Sequence, residues 1–112
     1  MRTETPAIAL TIAGSDPSGG AGIQADLKTF SALGVYGAAV LTALTAQNTT
    51  GVSGVLSIPP GFIVSQFRAV VSDLAVAAIK TGMLGDAETV ETVAAELTQV
   101  PQIPVVVDPV MV

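Results

Sequence analysis

The segment from Gly14 to Asp26, GSDPSGGAGIQAD, gathers most of the side chains and backbone features here that could do chemistry. Three glycines in four residues, Gly19, Gly20 and Gly22, let the backbone approach a ligand closely and present bare amide groups to it. Two carboxylates, Asp16 and Asp26, and the amide of Gln24 accompany them. The ligand such a loop takes depends on spacing. A Walker A phosphate loop needs Gly, four residues, then Gly-Lys-Ser/Thr. Gly14 and Gly19 keep that interval, but Gly20 and Ala21 stand where the lysine and hydroxyl belong, so this loop is excluded. The dinucleotide fingerprint G-x-G-x-x-G/A is matched by Gly20, Gly22 and Ala25, and it requires an acid about 20 residues further on to hold a ribose. Val40 to Ala46 reads VLTALTA and offers none.

A loop that only turns and starts a helix remains the alternative. Asp26 weighs against it, because it lies four residues past Gly22, in the first turns of the following helix. A carboxylate beside bare amides repels anions but accepts hydrogen bonds from a hydroxyl or amino group. Such a site suits a neutral polar ring better than a phosphate. The sequence holds no Cys and no His, which removes thiol nucleophiles, imidazole bases, disulfides and zinc sites built on either residue. Chemistry here is left to carboxylates, hydroxyls, amides, lysine, arginine and the backbone.

Alternating elements must position these groups. Ala7 to Ala13 is a short apolar run that suits a buried strand, and Gly14 to Gly20 follows as loop. Ile23, Leu27, Phe30 and Leu33 recur at helical spacing up to a stop at Gly34. Tyr36 to Ala46 reads as a second buried strand, Gln47 to Gly54 as a polar loop, and Val55 to Ile58 as a short strand. After Pro59-Pro60, Ile63, Phe67, Val70, Val71 and Leu74 mark a second helix. Val76 to Lys80 is a strand, and Asp86 caps a third helix with Val90, Val93, Ala94 and Leu97 on its buried stripe. Val105 to Val107 begins a strand that ends at Asp108-Pro109. This order predicts one α/β domain with a mostly parallel sheet flanked by helices.

Half of the 112 residues are hydrophobic and 12% are charged, which excludes a disordered chain. The richest apolar stretch, Tyr36 to Ala46, falls short of the roughly 20 residues that span a bilayer. Met1 to Gly14 lacks a signal-peptide pattern, so the expectation is a cytoplasmic protein without a membrane partner. Nine acids against four bases, Arg2, Lys28, Arg68 and Lys80, give a net charge of −5 and leave no basic patch for nucleic acid.

Four ordered stretches resemble the hydroxymethylpyrimidine kinase/phosphomethylpyrimidine kinase family of thiamine biosynthesis, within the ribokinase-like fold. They are Ala9 to Gly37, TALTAQNTTGV (Thr42 to Val52), IKTGMLGD (Ile79 to Asp86) and VVVDPVMV (Val105 to Val112). The resemblance implies a transferase that moves a phosphoryl group from ATP with Mg2+ to 4-amino-5-hydroxymethyl-2-methylpyrimidine, and then a second to the monophosphate. It implies that Gly14, Asp26, Gln47 and Met83 line the pyrimidine pocket. An amide such as Gln47 can complement the ring edge, and a carboxylate such as Asp26 can bind its donor side. Met83 would form a soft apolar wall or simply belong to the core. Asp108, at a strand's carboxyl end, is placed to meet magnesium or ATP phosphates, or only to end the strand. Lys80 is expected to satisfy a carboxylate near the sheet end, with no further role.

The resemblance covers the N-terminal part of the family pattern. Residues 1–6 read as a tail and 7–112 as the front of a single ribokinase-like kinase domain. The family's Gly-Thr-Gly-Cys segment, whose amides form an anion hole and whose cysteine is the proposed base, has no counterpart here. The expectation is a fragment that carries the substrate-binding part and turns nothing over alone. Related expectations are a pyridoxal or sugar kinase of the same fold, or a catalytically dead pyrimidine-binding piece. The family also implies a homodimer at full length.

Overall fold

The computed structural model describes residues 5–108. Met1 to Glu4 of the expected tail, and Pro109 to Val112 of the closing motif, lie outside the described residues. Five strands and three helices follow in the order β1 (Ile8–Ser15), α1 (Gly22–Ala32), β2 (Tyr36–Asn48), β3 (Gly51–Ser57), α2 (Pro60–Val71), β4 (Val76–Thr81), α3 (Ala87–Leu97) and β5 (Val105–Val107). They form one sheet in the order β3-β2-β1-β4-β5. β1 pairs in parallel with β2 and β4, and β4 with β5, while β2 and β3 are antiparallel. The mostly parallel α/β architecture is therefore the one expected.

Alternation along β1 explains the two faces. Leu10 and Ile12 point to one side, where they meet Val40, Ile79, Ile63, Phe67 and Val93 in a buried cluster under α2 and α3. Thr11 points to the other, fully buried beneath α1. A strand covered on both faces needs a near-continuous apolar run, which Ile8 to Ala13 provides.

Helix ends follow local chemistry. α1 closes in a Schellman turn: Val35 N donates to the Phe30 carbonyl at 2.8 Å and Gly34 N to Ser31 at 3.1 Å, with Gly34 at φ +75°. α2 starts at Pro60, where a missing amide costs nothing. α3 is capped as expected, the Asp86 carboxylate accepting from Thr89 N at 2.8 Å.

Several expectations need correction. β1 runs on through Gly14 to Ser15, with an irregularity between Ala13 and Ser15, so the loop starts later. The polar stretch Gln47 to Gly54 is not a loop. It is the tip of a hairpin in which β2 extends to Asn48 and β3 starts at Gly51. Asn48 Oδ1 makes the turn by accepting from Thr50 N at 2.9 Å and from Thr50 Oγ1 at 2.6 Å. Leu33 sits exposed at the end of α1. On α3, Val90 and Ala94 face outward, while Thr89, Val93 and Glu96 face in. Glu96 can be buried because Arg68 of α2 grips it, Nε to Oε1 at 2.9 Å and Nη2 to Oε2 at 3.2 Å.

Among the described residues no strand flanks the outer side of β2 before Ala43, and Gln66 of α2 fills that place. Its amide donates to the Leu41 carbonyl at 3.0 Å and accepts from Leu41 N at 2.9 Å. The sheet borders are apolar, with Val52, Val55 and Leu56 exposed on β3 and Val106 and Val107 on β5. Among the described residues no helix is long and apolar enough to cross a membrane.

Candidate functional site

Parallel pairing sends β1, β2, β4 and β5 in one direction, so their carboxyl ends meet along a single edge of the sheet. A cavity of about 440 Å³ opens there, bounded by the β1–α1 loop, α1, the β2–β3 hairpin and the ends of β4 and β5. Gly14, Asp26, Gln47, Met83 and Asp108 all line it.

The loop is built for close approach. Gly22 opens α1 at φ +62°, and a Cβ there would run into the carbonyl of Gly14. Gly14 is buried, and a Cβ at that position would lie 3.0 Å from Met83 Cε. The loop's own polar groups tie it together. Asp16 Oδ1 accepts from Ser18 N at 2.9 Å and Ser18 Oγ at 2.7 Å, and its Oδ2 accepts from Gly20 N at 3.1 Å. The Ser18 hydroxyl above all holds the Asp16 carboxyl below its ordinary value. Gln24 accepts from Asp16 N at 2.8 Å and donates to Ser15 Oγ at 2.7 Å. Asp16 and Gln24 thus shape the loop, although their residue types suggested ligand contact.

Asp26 faces the cavity from α1. Thr11 Oγ1 donates to its Oδ2 at 2.6 Å, and Lys80 Nζ donates to Oδ2 at 2.9 Å and Oδ1 at 3.1 Å. Gln47 reaches in from β2. Thr45 Oγ1 lies 3.1 Å from its Oε1 and 2.7 Å from the carbonyl of Ser15. One hydroxyl proton cannot serve both fully, so the Gln47 amide is lightly held and open to a ligand. Met83 sits on the segment after β4, whose position is fixed by Thr42 Oγ1 donating to the Met83 carbonyl at 3.0 Å.

Asp108 is on the rim, its amide bonded to the Thr81 carbonyl and its carboxylate 3.7 Å from Lys80 Nζ. Among the described residues no group of three or more His, Cys, Asp or Glu could hold a metal ion. A single carboxylate beside an ammonium does not fit a resident magnesium ion, which asks for about six oxygens in octahedral array.

Ser15, Thr45, Val52, Val55 and Lys80 also line the cavity. Thr45 shares a face with Gln47 because β2 runs on to Asn48, which the reading of Gln47 as loop hides. Val52 and Val55 are hidden with it, since their hairpin reads in sequence as a loop and a separate strand. The lining carries three carboxylates, Asp16, Asp26 and Asp108, and one ammonium, Lys80. That balance disfavours a bare anion and suits a neutral polar molecule with apolar flanks.

Glycine turn, carboxyl-edge cavity and open mostly parallel sheet define the class: an α/β protein with a cavity at the carboxyl ends of its strands, where such folds place their ligands. The family pattern described as phosphomethylpyrimidine kinase matches residues 16–112, and the chain belongs to that family. It is 58% identical over 106 residues to the hydroxymethylpyrimidine/phosphomethylpyrimidine kinase of Streptomyces coelicolor, covering 95% of this chain and 39% of that protein. The crystal structure of the phosphomethylpyrimidine kinase of Clostridium difficile 630 superposes with a TM-score of 0.89 at 50% identity, covering 95% of this chain and 46% of that one. The ADP complex of Bacillus subtilis pyridoxal kinase superposes with a TM-score of 0.83 at 44% identity, over 96% of this chain and 42% of the other. The fold is thus the ribokinase-like one, and the chain spans about two fifths of the length of its curated kinase relatives.

Proposed function

We propose that this chain is the acceptor-binding part of a kinase that phosphorylates 4-amino-5-hydroxymethyl-2-methylpyrimidine, and then its monophosphate, from ATP with magnesium in thiamine biosynthesis. The observation that carries the reading is the convergence of Gly14, Asp26, Gln47 and Met83 on one cavity with a carboxylate on one wall and an amide on another. Asp26 would accept from the exocyclic amino group, and the Gln47 amide would complement the ring edge. Met83, Val52 and Val55 would enclose the ring faces and its methyl group. The hydroxymethyl group would then look toward the rim near Asp108.

In the reaction the hydroxymethyl oxygen would form a bond to the terminal phosphorus of ATP as the bond from that phosphorus to the ADP oxygen breaks. The hydroxyl proton would pass to the cysteine base of the family's Gly-Thr-Gly-Cys segment. These residues bind and orient the acceptor. Charge neutralisation on the transferred group, which dominates such chemistry, belongs to the family's anion-hole segment. The 112 residues are therefore expected to bind the pyrimidine without turning it over.

Calorimetry with the pyrimidine alone tests the reading. Binding is expected, weakened roughly tenfold or more by Gln47→Ala, as the loss of one buried hydrogen bond predicts. Absence of heat with the folded protein overturns it. The likeness to pyridoxal kinase supports a second reading, in which pyridoxal is the acceptor. Tighter binding of pyridoxal than of the aminopyrimidine would favour it.

A further inference from the structure

Lys80 lines the cavity and is the one cation among its lining residues. It comes from β4, beside β1, whose Thr11 is its register partner. Its ammonium lies 2.9 and 3.1 Å from the two oxygens of Asp26, and 3.7 Å from Asp108 on the rim. Lys80 and Asp26 are both largely buried, with side chains 22% and 18% exposed. Thr11, itself fully buried, donates to the same carboxylate from below. Glycine at position 82 leaves room for the ammonium, since a Cβ there would come within 3.1 Å of Nζ.

We infer that Lys80 is a positioning residue that selects for acceptors bearing an amino group, by fixing the Asp26 carboxylate in the one orientation that can receive it. The inference rests on the acceptor-pocket reading above. An unrestrained aspartate on a helix rotates about two bonds and offers its lone pairs in many directions. Here Thr11 takes one lone pair of Oδ2, and Lys80 spans both oxygens from the β4 side. That leaves about one lone pair, on Oδ1, confined to the remaining side, and Asp26 is part of the cavity lining. A carboxylate already supplied with donors on two sides prefers a third donor to an acceptor there. Amino-bearing rings would gain from it, and rings presenting only acceptors would be repelled. Lys80 need not touch the ligand to do this.

The test compares the amino pyrimidine with 5-hydroxymethyl-2-methylpyrimidine, which lacks only the amino group, by calorimetry on the purified chain. The wild-type protein is expected to prefer the amino compound by roughly ten- to a hundredfold, the range of a hydrogen bond to a charged group. Lys80→Met should weaken the amino compound more than the desamino one, reducing that preference to about threefold or less, and Lys80→Arg should restore most of it. Lys80→Gln, nearly isosteric with the methionine change, carries the same comparison if Lys80→Met does not fold. In the wild-type chain, the ammonium nitrogen resonance of Lys80 should move with the amino compound and stay with the desamino one. Retained preference without Lys80, or equal loss of both ligands, overturns the positioning role. A wild-type protein that binds neither pyrimidine overturns the pocket reading itself.

Discussion

The carboxylate of Asp16 accepts three hydrogen bonds from its own loop, and the ionised form is the one that can accept all of them. Its folded-state pKa lies below the ordinary 3.8, chiefly because of the Ser18 hydroxyl. The Asp86 carboxyl is likewise lowered, chiefly by the Thr89 amide it caps. A group whose pKa falls on folding adds stability above its unfolded value and loses it as pH drops through the folded one. Melting temperature should therefore decline below about pH 4, and less steeply in Asp16→Asn than in the wild type. Parallel declines would show that Asp16 contributes nothing there. Gly22→Ala should be more severe. The positive φ alone costs about 1–2 kcal/mol, and the added methyl must also displace the Gly14 carbonyl. Urea unfolding should show the lower midpoint, and pyrimidine binding should weaken with it.

At the scale of elements, Arg68 and Glu96 add a charged clasp to the apolar joint that Ile63, Phe67 and Val93 make between α2 and α3. Arg68→Ala leaves a carboxylate only 7% exposed without its counter-charge, and should cost on the order of 1–3 kcal/mol in urea unfolding. Replacing Glu96 by leucine in the same variant should recover most of that, because the cost is a carboxylate left buried and unpaired, whereas the Arg68 side chain is itself exposed. The same pair shows why the stripe on α3 was misread. Periodicity predicted Val90 and Ala94 inside, but a partner 28 residues away makes Glu96 the better inward residue. The β2–β3 hairpin was hidden for a related reason. Asn48-Thr49-Thr50-Gly51 lacks the Asn-Gly pair of the commonest two-residue turns, and Ser53 and Gly54 make β3 look like coil. Its strand pairing is set by tertiary context. In contrast β1, α1, β4 and the Asp86 cap follow local rules and were legible to within a residue or two.

For the whole molecule, the parallel order of strands made the location of the cavity legible, and the motif resemblance named four residues of its lining. The sequence expects Lys80 to satisfy a carboxylate near the sheet end, and geometry added which one, Asp26 across the site. Apolar strands at both borders of the sheet carry a liability. Val106 is 62% exposed on β5, and such an edge invites pairing with another strand. Val106→Lys should lower light scattering at high protein concentration while leaving the circular dichroism spectrum unchanged.

The bond between Lys80 and Asp26 joins residues 54 positions apart. As the chain is made, Asp26 emerges first and has no ammonium to meet until β4 follows and docks beside β1. Closing so long an intervening loop has an entropic cost that only the finished sheet offsets. The cavity should thus be among the last features to form, and a bound pyrimidine would report completed folding, slowing hydrogen exchange in β1 and β4 together.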